Sequence, residues 1–218
     1  MNKKFKYNSV IFDLDGTLLN TLDDLHDAVA HSLAAYGLPA RTLDEVRRFV
    51  GNGIRLLIER SVPEGCPDDI TNSVFEEFKN YYGIHCNDKT KPYDGIPELL
   101  RQLKSCDIPC AIVSNKADFA VKTLARDYFD GLCAVAIGER DGIRKKPAPD
   151  SVFEAMALLD AKKPVYVGDS EVDIATARAA GIPCISVNWG FRSRNELISA
   201  GAEIICESTA ELLSALEA

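Results

Sequence analysis

VIFDLDGTLLNT, residues 10–21, places two aspartates one residue apart behind an apolar run, then breaks the run with glycine and threonine. In a strand, successive side chains point to opposite faces, so Asp13 and Asp15 would share one face with Leu14 on the other. Two carboxylates so placed repel, and the arrangement is costly unless a cation, a shared proton or a reacting group compensates it. The plainer alternative is a strand that ends in solvent at an Asp-Gly turn. The rest of the chain decides between the two.

From residue 95 onward, strand-like and helix-period segments alternate. GIPELLRQLKSC, KADFAVKTLARDYF, PDSVFEAMALLD, EVDIATARAAG and TAELLSALEA read as helices, and IPCAIVSN, AVAIGE, PVYVGDS, IPCISV and AEIIC as strands. Apolar strands separated by helices predict a parallel sheet covered on both faces, with SVIFD as a further member. Residues 19–89 differ, because only helical periods occur there. Leu22, Leu25, Val29, Leu33 and Tyr36 form one stripe that stops at Gly37. Thr42 and Glu45 have capping-box spacing ahead of a second helix, Gly51-Asn52-Gly53 interrupts it, and Ile54, Leu57 and Ile58 resume the period. DDITNSVFEEFKNYYG predicts a helix ending at Gly83. The fold expected is α/β: a Rossmann-like parallel-sheet core (residues 1–18 and 90–218) with helices on both faces, carrying an inserted all-α cap domain (19–89) on hinges near 17–21 and 85–92.

The 218 residues suffice for one large domain or two modest ones. A formal net charge of -8 argues against nucleic acid or an anionic membrane as partner, since both require a basic face. It does not exclude a small anionic substrate, because a few cations can reverse the sign inside one cleft. The opening MNKKFKYNSVIF lacks the apolar run of a signal peptide, and no stretch approaches the ~18 apolar residues of a membrane span, so a cytoplasmic protein is expected. Seven cysteines without a CxxC pair suggest neither a disulfide framework nor a zinc site, and read as small buried hydrophobes. His26, His31 and His85 do not have metal-ligand spacing.

In an open parallel sheet, ligands bind beyond the carboxyl ends of the strands. Asp13 ends the first strand, Ser114 and Asn115 end CAIV, and Asp169 ends PVYV, so these groups converge on one edge, with Lys146 of KKPAPD as a nearby cation. Each has a plain reading alone: Ser114 as a helix cap, Asp169 as a turn residue, Lys146 as a solvated side chain. All of those would have to hold together.

These motifs, in this order, resemble the haloacid dehalogenase superfamily over nearly the whole chain: DLDGTL the first motif, IVSN the second, KKPAPD the third and VGDSEVD the fourth. The helical insert between the first two is similar to that of the phosphatase-like subfamily with a helical cap, and FVGNGIRLLIER resembles phosphoglycolate phosphatases. The resemblance implies Asp13 as nucleophile, Asp15 as acid and base, and Ser114 and Lys146 as phosphate ligands, with Thr17 and Asn115 also substrate-binding positions. It implies Mg²⁺ as cofactor, held by Asp13, Asp169 and the Asp15 backbone carbonyl, with Asp173 in support.

The chemistry agrees with those roles. A carboxylate nucleophile splits phosphate-ester hydrolysis into two displacements, with Asp15 first protonating the leaving oxygen and then activating water. Magnesium takes hard oxygen ligands, and together with Lys146 it offsets four acids. Asp15 also discriminates among relatives, since a halide leaving group needs no proton. The expected activity is therefore Mg²⁺-dependent hydrolysis of a small phosphorylated metabolite, 2-phosphoglycolate foremost. A β-phosphoglucomutase-like mutase or a broad sugar-phosphate phosphatase is the alternative. A catalytically dead binding protein would show loss of an acid from DLDGTL or VGDSEVD, and neither has one missing. In the insert, the N–H groups of Gly51, Asn52 and Gly53 before a helix at Ile54 could hold a small carboxylate, with Arg55 as a second contact; a plain interhelical turn is the alternative.

Overall fold

The computed structural model describes residues 4–218; the first three residues of the expected core segment, and of the expected leaderless start, lie outside the described residues. In chain order the elements are β1 (Ser9–Phe12), β2 (Leu19–Asn20), α1 (Leu22–Ala35), α2 (Leu43–Phe49), α3 (Ile54–Ser61), α4 (Asp68–His85) and β3 (Lys91–Pro92). There follow α5 (Ile96–Ser105), β4 (Cys110–Ala117), α6 (Asp118–Phe129), β5 (Val135–Glu139), α7 (Asp150–Leu158), β6 (Pro164–Gly168), α8 (Glu171–Ala180), β7 (Cys184–Val187), α9 (Arg194–Ser199), β8 (Ile205–Cys206) and α10 (Thr209–Leu216). Two compact units result: residues up to Leu19 together with Pro92–Ala218, and the insert Asn20–Lys91. Sequence patterning puts the crossings at 18/19 and 89/90. The two short strands at the crossings, β2 and β3, pair with each other.

The first unit is built on six parallel strands in the order β5-β4-β1-β6-β7-β8. β1 lies inside the sheet, with Val10 opposite Cys110 on one side and Val165 on the other. Its pleat sorts side chains between two cores. Val10 and Phe12 join Ile112, Val165 and Val167 under Leu99, Leu100 and Leu103 of α5, Val121 and Leu124 of α6, and Leu212 and Leu216 of α10. Ile11 joins Ala111, Val113 and Tyr166 under Val152 and Ala155 of α7 and Ala177 of α8. Helices therefore cover both faces, as the unbroken apolar strands predict. A one-residue slip of β1 would exchange the two sets, forcing Phe12 into the core shaped around Ile11, so the register is fixed by how each core fits its own side chains.

The insert is entirely helical apart from its terminal strand residues. α1 and α4 form its main helix pair, burying Leu25, Val29 and Leu33 of the first and Val74, Phe78 and Tyr82 of the second. Thr42 and Glu45 close the expected capping box at the start of α2. Buried Asp24 accepts the backbone N–H groups of Lys89 at 2.9 Å and Thr90 at 2.8 Å and the Thr90 hydroxyl at 2.7 Å, tying the start of the insert to its end.

Several local expectations need correction. β1 stops at Phe12, one residue before Asp13, so the two aspartates are not paired by strand pleating; a turn delivers Asp15. α4 runs through Gly83 to His85, because a glycine within a helix costs only about 1 kcal/mol and packing outweighs it. AEIIC shrinks to Ile205–Cys206. α9 was not expected, although Ser193 and Glu196 carry the capping-box spacing and make its bonds. Only Cys110 and Cys206 are buried; the other five cysteines are partly exposed. No helix among the described residues is long and apolar enough to cross a membrane.

Candidate active site

Asp13 is the first residue beyond β1, and its N–H still donates to the Val167 carbonyl at 2.9 Å, which holds the backbone in line with β6. Asp169 is the first residue beyond β6. The parallel sheet thus delivers both acids to the same edge, each almost wholly buried. After Asp169 the chain enters α8, where Asp173 folds back to accept the Ser170 N–H at 3.1 Å and its hydroxyl at 2.6 Å. Gly168 permits this return, because a Cβ there would lie 2.3 Å from the Asp173 carboxyl carbon.

Lys146 completes the cluster from a loop. Its ammonium donates to Asp13 Oδ1 and Asp173 Oδ1, both at 2.8 Å, and to the Tyr166 hydroxyl at 3.0 Å, so all three of its protons are engaged. Tyr166 in turn donates to the Val113 carbonyl at 3.1 Å. Asn115 fixes the backbone of the same lysine, accepting from its N–H at 2.8 Å and donating to its carbonyl at 3.0 Å. The register between β4 and β5 shifts between Val113 and Ala117, the segment that carries Ser114, Asn115 and Lys116. Such irregularities re-aim side chains beside functional sites.

Asp15 has a separate cation. Lys116, buried, places its ammonium 3.2 Å from Asp15 Oδ1. Thr17 donates to Asp169 Oδ1 at 3.3 Å, and the Phe191 N–H donates to Asp169 Oδ2 at 2.7 Å. Ser114 is buried and accepts from the Lys116 N–H at 3.3 Å.

The electrostatics follow from the count of charges. Burial pushes the Asp13 carboxyl up to about 7 against the pull of Lys146, and the charges of Asp173 and Asp15 add to the rise. Burial, then Asp173 and Asp13, also raise Asp169 well above the carboxylate range. Burial works to lower Lys146, but the attraction of Asp13 and Asp173 outweighs it and the lysine is raised. Burial and mutual repulsion raise the two carboxyls, while Lys146 pairs only with Asp13 and Asp173 and Arg192 is the cation that pulls on Asp169. Oxygens of Asp13, Asp169 and Asp173 lie within 4.8 Å of one another. An all-oxygen donor set with an excess of negative charge suits a hard divalent cation such as Mg²⁺.

Of the sequence-predicted residues, the structure brings together Asp13, Thr17, Asn115, Lys146, Asp169 and Asp173 through direct contacts. The Asp15 carboxylate stands on Lys116 and outside the three-acid cluster. Asn115 meets the Lys146 backbone through both ends of its amide. Gly51, Asn52 and Gly53 form the turn between α2 and α3, with Gly51 and Gly53 at φ of 120° and 86°, in the left-handed region. Within the insert the Arg55 guanidinium is held by Glu59 and Asn72, each at 2.6 Å, and lies over the Phe75 ring. Sequence reasoning missed Lys116, Tyr166 and the Trp189–Phe191 loop. Lys116 directly follows Ser114-Asn115 and could have been noticed, whereas Tyr166 reads as one more strand residue.

The chain matches the haloacid dehalogenase-like hydrolase family over residues 10–187, from the start of the VIFDLD stretch to the end of β7. It is similar to a phosphoglycolate phosphatase of Mesorhizobium japonicum, 36% identical over 194 residues and 85% of each chain. An N-acetylmuramic acid 6-phosphate phosphatase of Pseudomonas aeruginosa is 29% identical, across 99% of this chain and 97% of that one. Among solved structures, a Lactobacillus delbrueckii subsp. bulgaricus protein provisionally named phosphoglycolate phosphatase superposes with a TM-score of 0.92 at 36% identity, covering 97% of this chain and 99% of its own.

Proposed function

The chain belongs to the haloacid dehalogenase-like hydrolase family, and from that premise we propose that it hydrolyses a small phosphate monoester, 2-phosphoglycolate foremost, through an aspartyl-phosphate at Asp13. One observation carries this reading: a buried carboxylate, Asp13, is held by Lys146 and adjoins a second carboxylate, Asp15, which has its own lysine. One acid can attack while the other handles protons.

In the first step an oxygen of Asp13 bonds to phosphorus as the ester P–O bond breaks, and Asp15 gives its proton to the departing alkoxide. In the second, Asp15 takes a proton from water, the hydroxyl oxygen bonds to phosphorus, and the bond to Asp13 breaks, releasing inorganic phosphate. Lys146 holds the attacking carboxylate in place, and Ser114, which lies within β4 where its register with β5 shifts rather than at the strand end, would receive a phosphoryl oxygen. Mg²⁺, held by Asp13 and Asp169 with Asp173 in support, would neutralise charge on the phosphoryl group. In the insert, the N–H groups of residues 51–53 would hold the substrate carboxylate; Arg55, already engaged by Glu59 and Asn72, is the weaker candidate. A cytoplasmic setting belongs to the same proposal, supported by seven free thiols.

The names of the relatives support phosphate esters as a class and favour phosphoglycolate within it. The test is release of inorganic phosphate, with and without Mg²⁺, from 2-phosphoglycolate, N-acetylmuramic acid 6-phosphate, hexose phosphates and nitrophenyl phosphate. Magnesium-dependent release with the highest kcat/KM on 2-phosphoglycolate is expected. Preference for a sugar phosphate would overturn the substrate, and isomerisation of a hexose phosphate without release would overturn hydrolysis.

A further inference from the structure

The stretch NWGFRS, residues 188–193, follows β7 and carries none of the four motifs, yet it touches the site at three points. The Phe191 N–H donates to Asp169 Oδ2 at 2.7 Å. The indole N–H of Trp189 donates to the Thr17 carbonyl at 3.0 Å, and the Thr17 hydroxyl donates to Asp169 Oδ1 at 3.3 Å. Between these two residues, a Cβ on Gly190 would stand 2.3 Å from the Gly16 carbonyl oxygen and 2.4 Å from Asp169 Oδ2. Only glycine lets the loop backbone lie so closely against the DLDGT turn and the Asp169 side chain.

Both oxygens of the Asp169 carboxylate are therefore fixed by one loop, Oδ2 directly and Oδ1 through Thr17, which the loop holds. Outer contacts of this kind orient a metal-ligating carboxylate, and their loss weakens metal binding by roughly 10–100-fold when the contact is to the ligand itself. We propose that Trp189 is a positioning residue for the divalent cation: by fixing the Thr17 peptide it keeps the Thr17 hydroxyl on Asp169 and so aims the Asp169 carboxylate at the ion. This rests on the reading of Asp13 and Asp169 as ligands of that ion. Trp189 also packs partly against the hydrophobic core, so a purely structural role is the alternative.

The experiment is calorimetric titration of the metal-free protein with Mg²⁺, comparing wild type with Trp189→Phe, Thr17→Val and the double variant. Phenylalanine retains an aromatic ring and removes the N–H. Trp189→Phe should bind Mg²⁺ about 5- to 10-fold more weakly, one contact further out than the range above. Thr17→Val should lose at least as much, with Thr17→Ala serving if the valine variant does not fold. The double variant should match the Thr17 variant within about twofold, because Trp189 acts through Thr17. Affinity of Trp189→Phe within about twofold of wild type would overturn the proposal, whether or not its melting temperature falls, since packing loss moves stability and not affinity. Fully multiplicative losses in the double variant would overturn it as well. Phosphate release is measured in parallel on the wild type: Mg²⁺ binding without hydrolysis of any ester would remove the phosphatase reading while leaving the affinity comparison decisive for Trp189.

Discussion

The Lys116 ammonium lies 3.2 Å from Asp15 Oδ1, and both groups are largely removed from solvent. Asp15 therefore has a cation of its own, distinct from the Lys146 that serves Asp13. Lys116→Met should leave Asp15 without that partner and misdirect its carboxylate. We expect kcat for 2-phosphoglycolate to fall by roughly 10- to 100-fold, within the range that general acid–base catalysis supplies. Nitrophenyl phosphate, whose leaving group departs without a proton, should retain its first-step burst. Asp15→Asn should show the same split more strongly, with a burst followed by a stall. Equal slowing of aryl and alkyl esters in stopped-flow measurements would detach Lys116 and Asp15 from proton transfer.

Asp13→Asn should abolish turnover, because the amide lacks an anionic nucleophilic oxygen. Its effect on stability has a sign that follows from burial. The folded-state carboxyl, at about 7, lies above the ordinary carboxylate value near 3.9, so between those values the folded state binds more protons than the unfolded one. This contribution is fully present below about pH 4 and is lost as pH rises through 7, to a limit of about 4 kcal/mol. In metal-free buffer the wild type should melt at progressively lower temperature from pH 5 to pH 8, and Asp13→Asn should flatten that slope. A wild-type stability that rises over this interval would contradict the sign.

Calcium should inhibit rather than replace magnesium. Its preference for about six to eight oxygen ligands would draw in the second oxygen of Asp13, the one required for attack on phosphorus. Competition assays should show activity falling as calcium displaces magnesium. Turnover with calcium comparable to that with magnesium would separate the metal-ligand and nucleophile roles of Asp13.

The Gly51–Gly53 turn should influence substrate choice more than chemistry. Asn52→Ala combined with Gly53→Ala would strain a position held at φ of 86°. The expected consequence is a loss of kcat/KM for 2-phosphoglycolate of about 10-fold, equivalent to about 1.4 kcal/mol. Nitrophenyl phosphate has no carboxylate and should be nearly unaffected. Parallel losses on both substrates would assign the turn a general role in the fold.

The sequence by itself determined the alternation of strands and helices, the helical insert, and the placement of Asp13 and Asp169 at one sheet edge. Apolar periodicity is a local property, and parallel strands necessarily end on the same side, so two acids at two strand ends share one edge. That they meet follows from β1 and β6 being neighbours, which only the sheet order decides. Local pattern was less secure where packing competes with propensity: α4 passes through Gly83, and β1 stops before Asp13 so that a turn, not a pleat, delivers Asp15. Only the tertiary structure decided which cation faces which acid. Lys146 and Asp13 are separated by 133 positions, Lys116 and Asp15 by 101, and Trp189 and Thr17 by 172. No periodicity carries across such distances. Tyr166 illustrates the same limit: its ring reads as one more apolar strand residue, and its hydroxyl acquires a role only because the sheet sets it beside Lys146 and the Val113 carbonyl. Pairing of this kind depends on where the packed sheet and its loops place each side chain, and on burial that makes an unmatched charge costly.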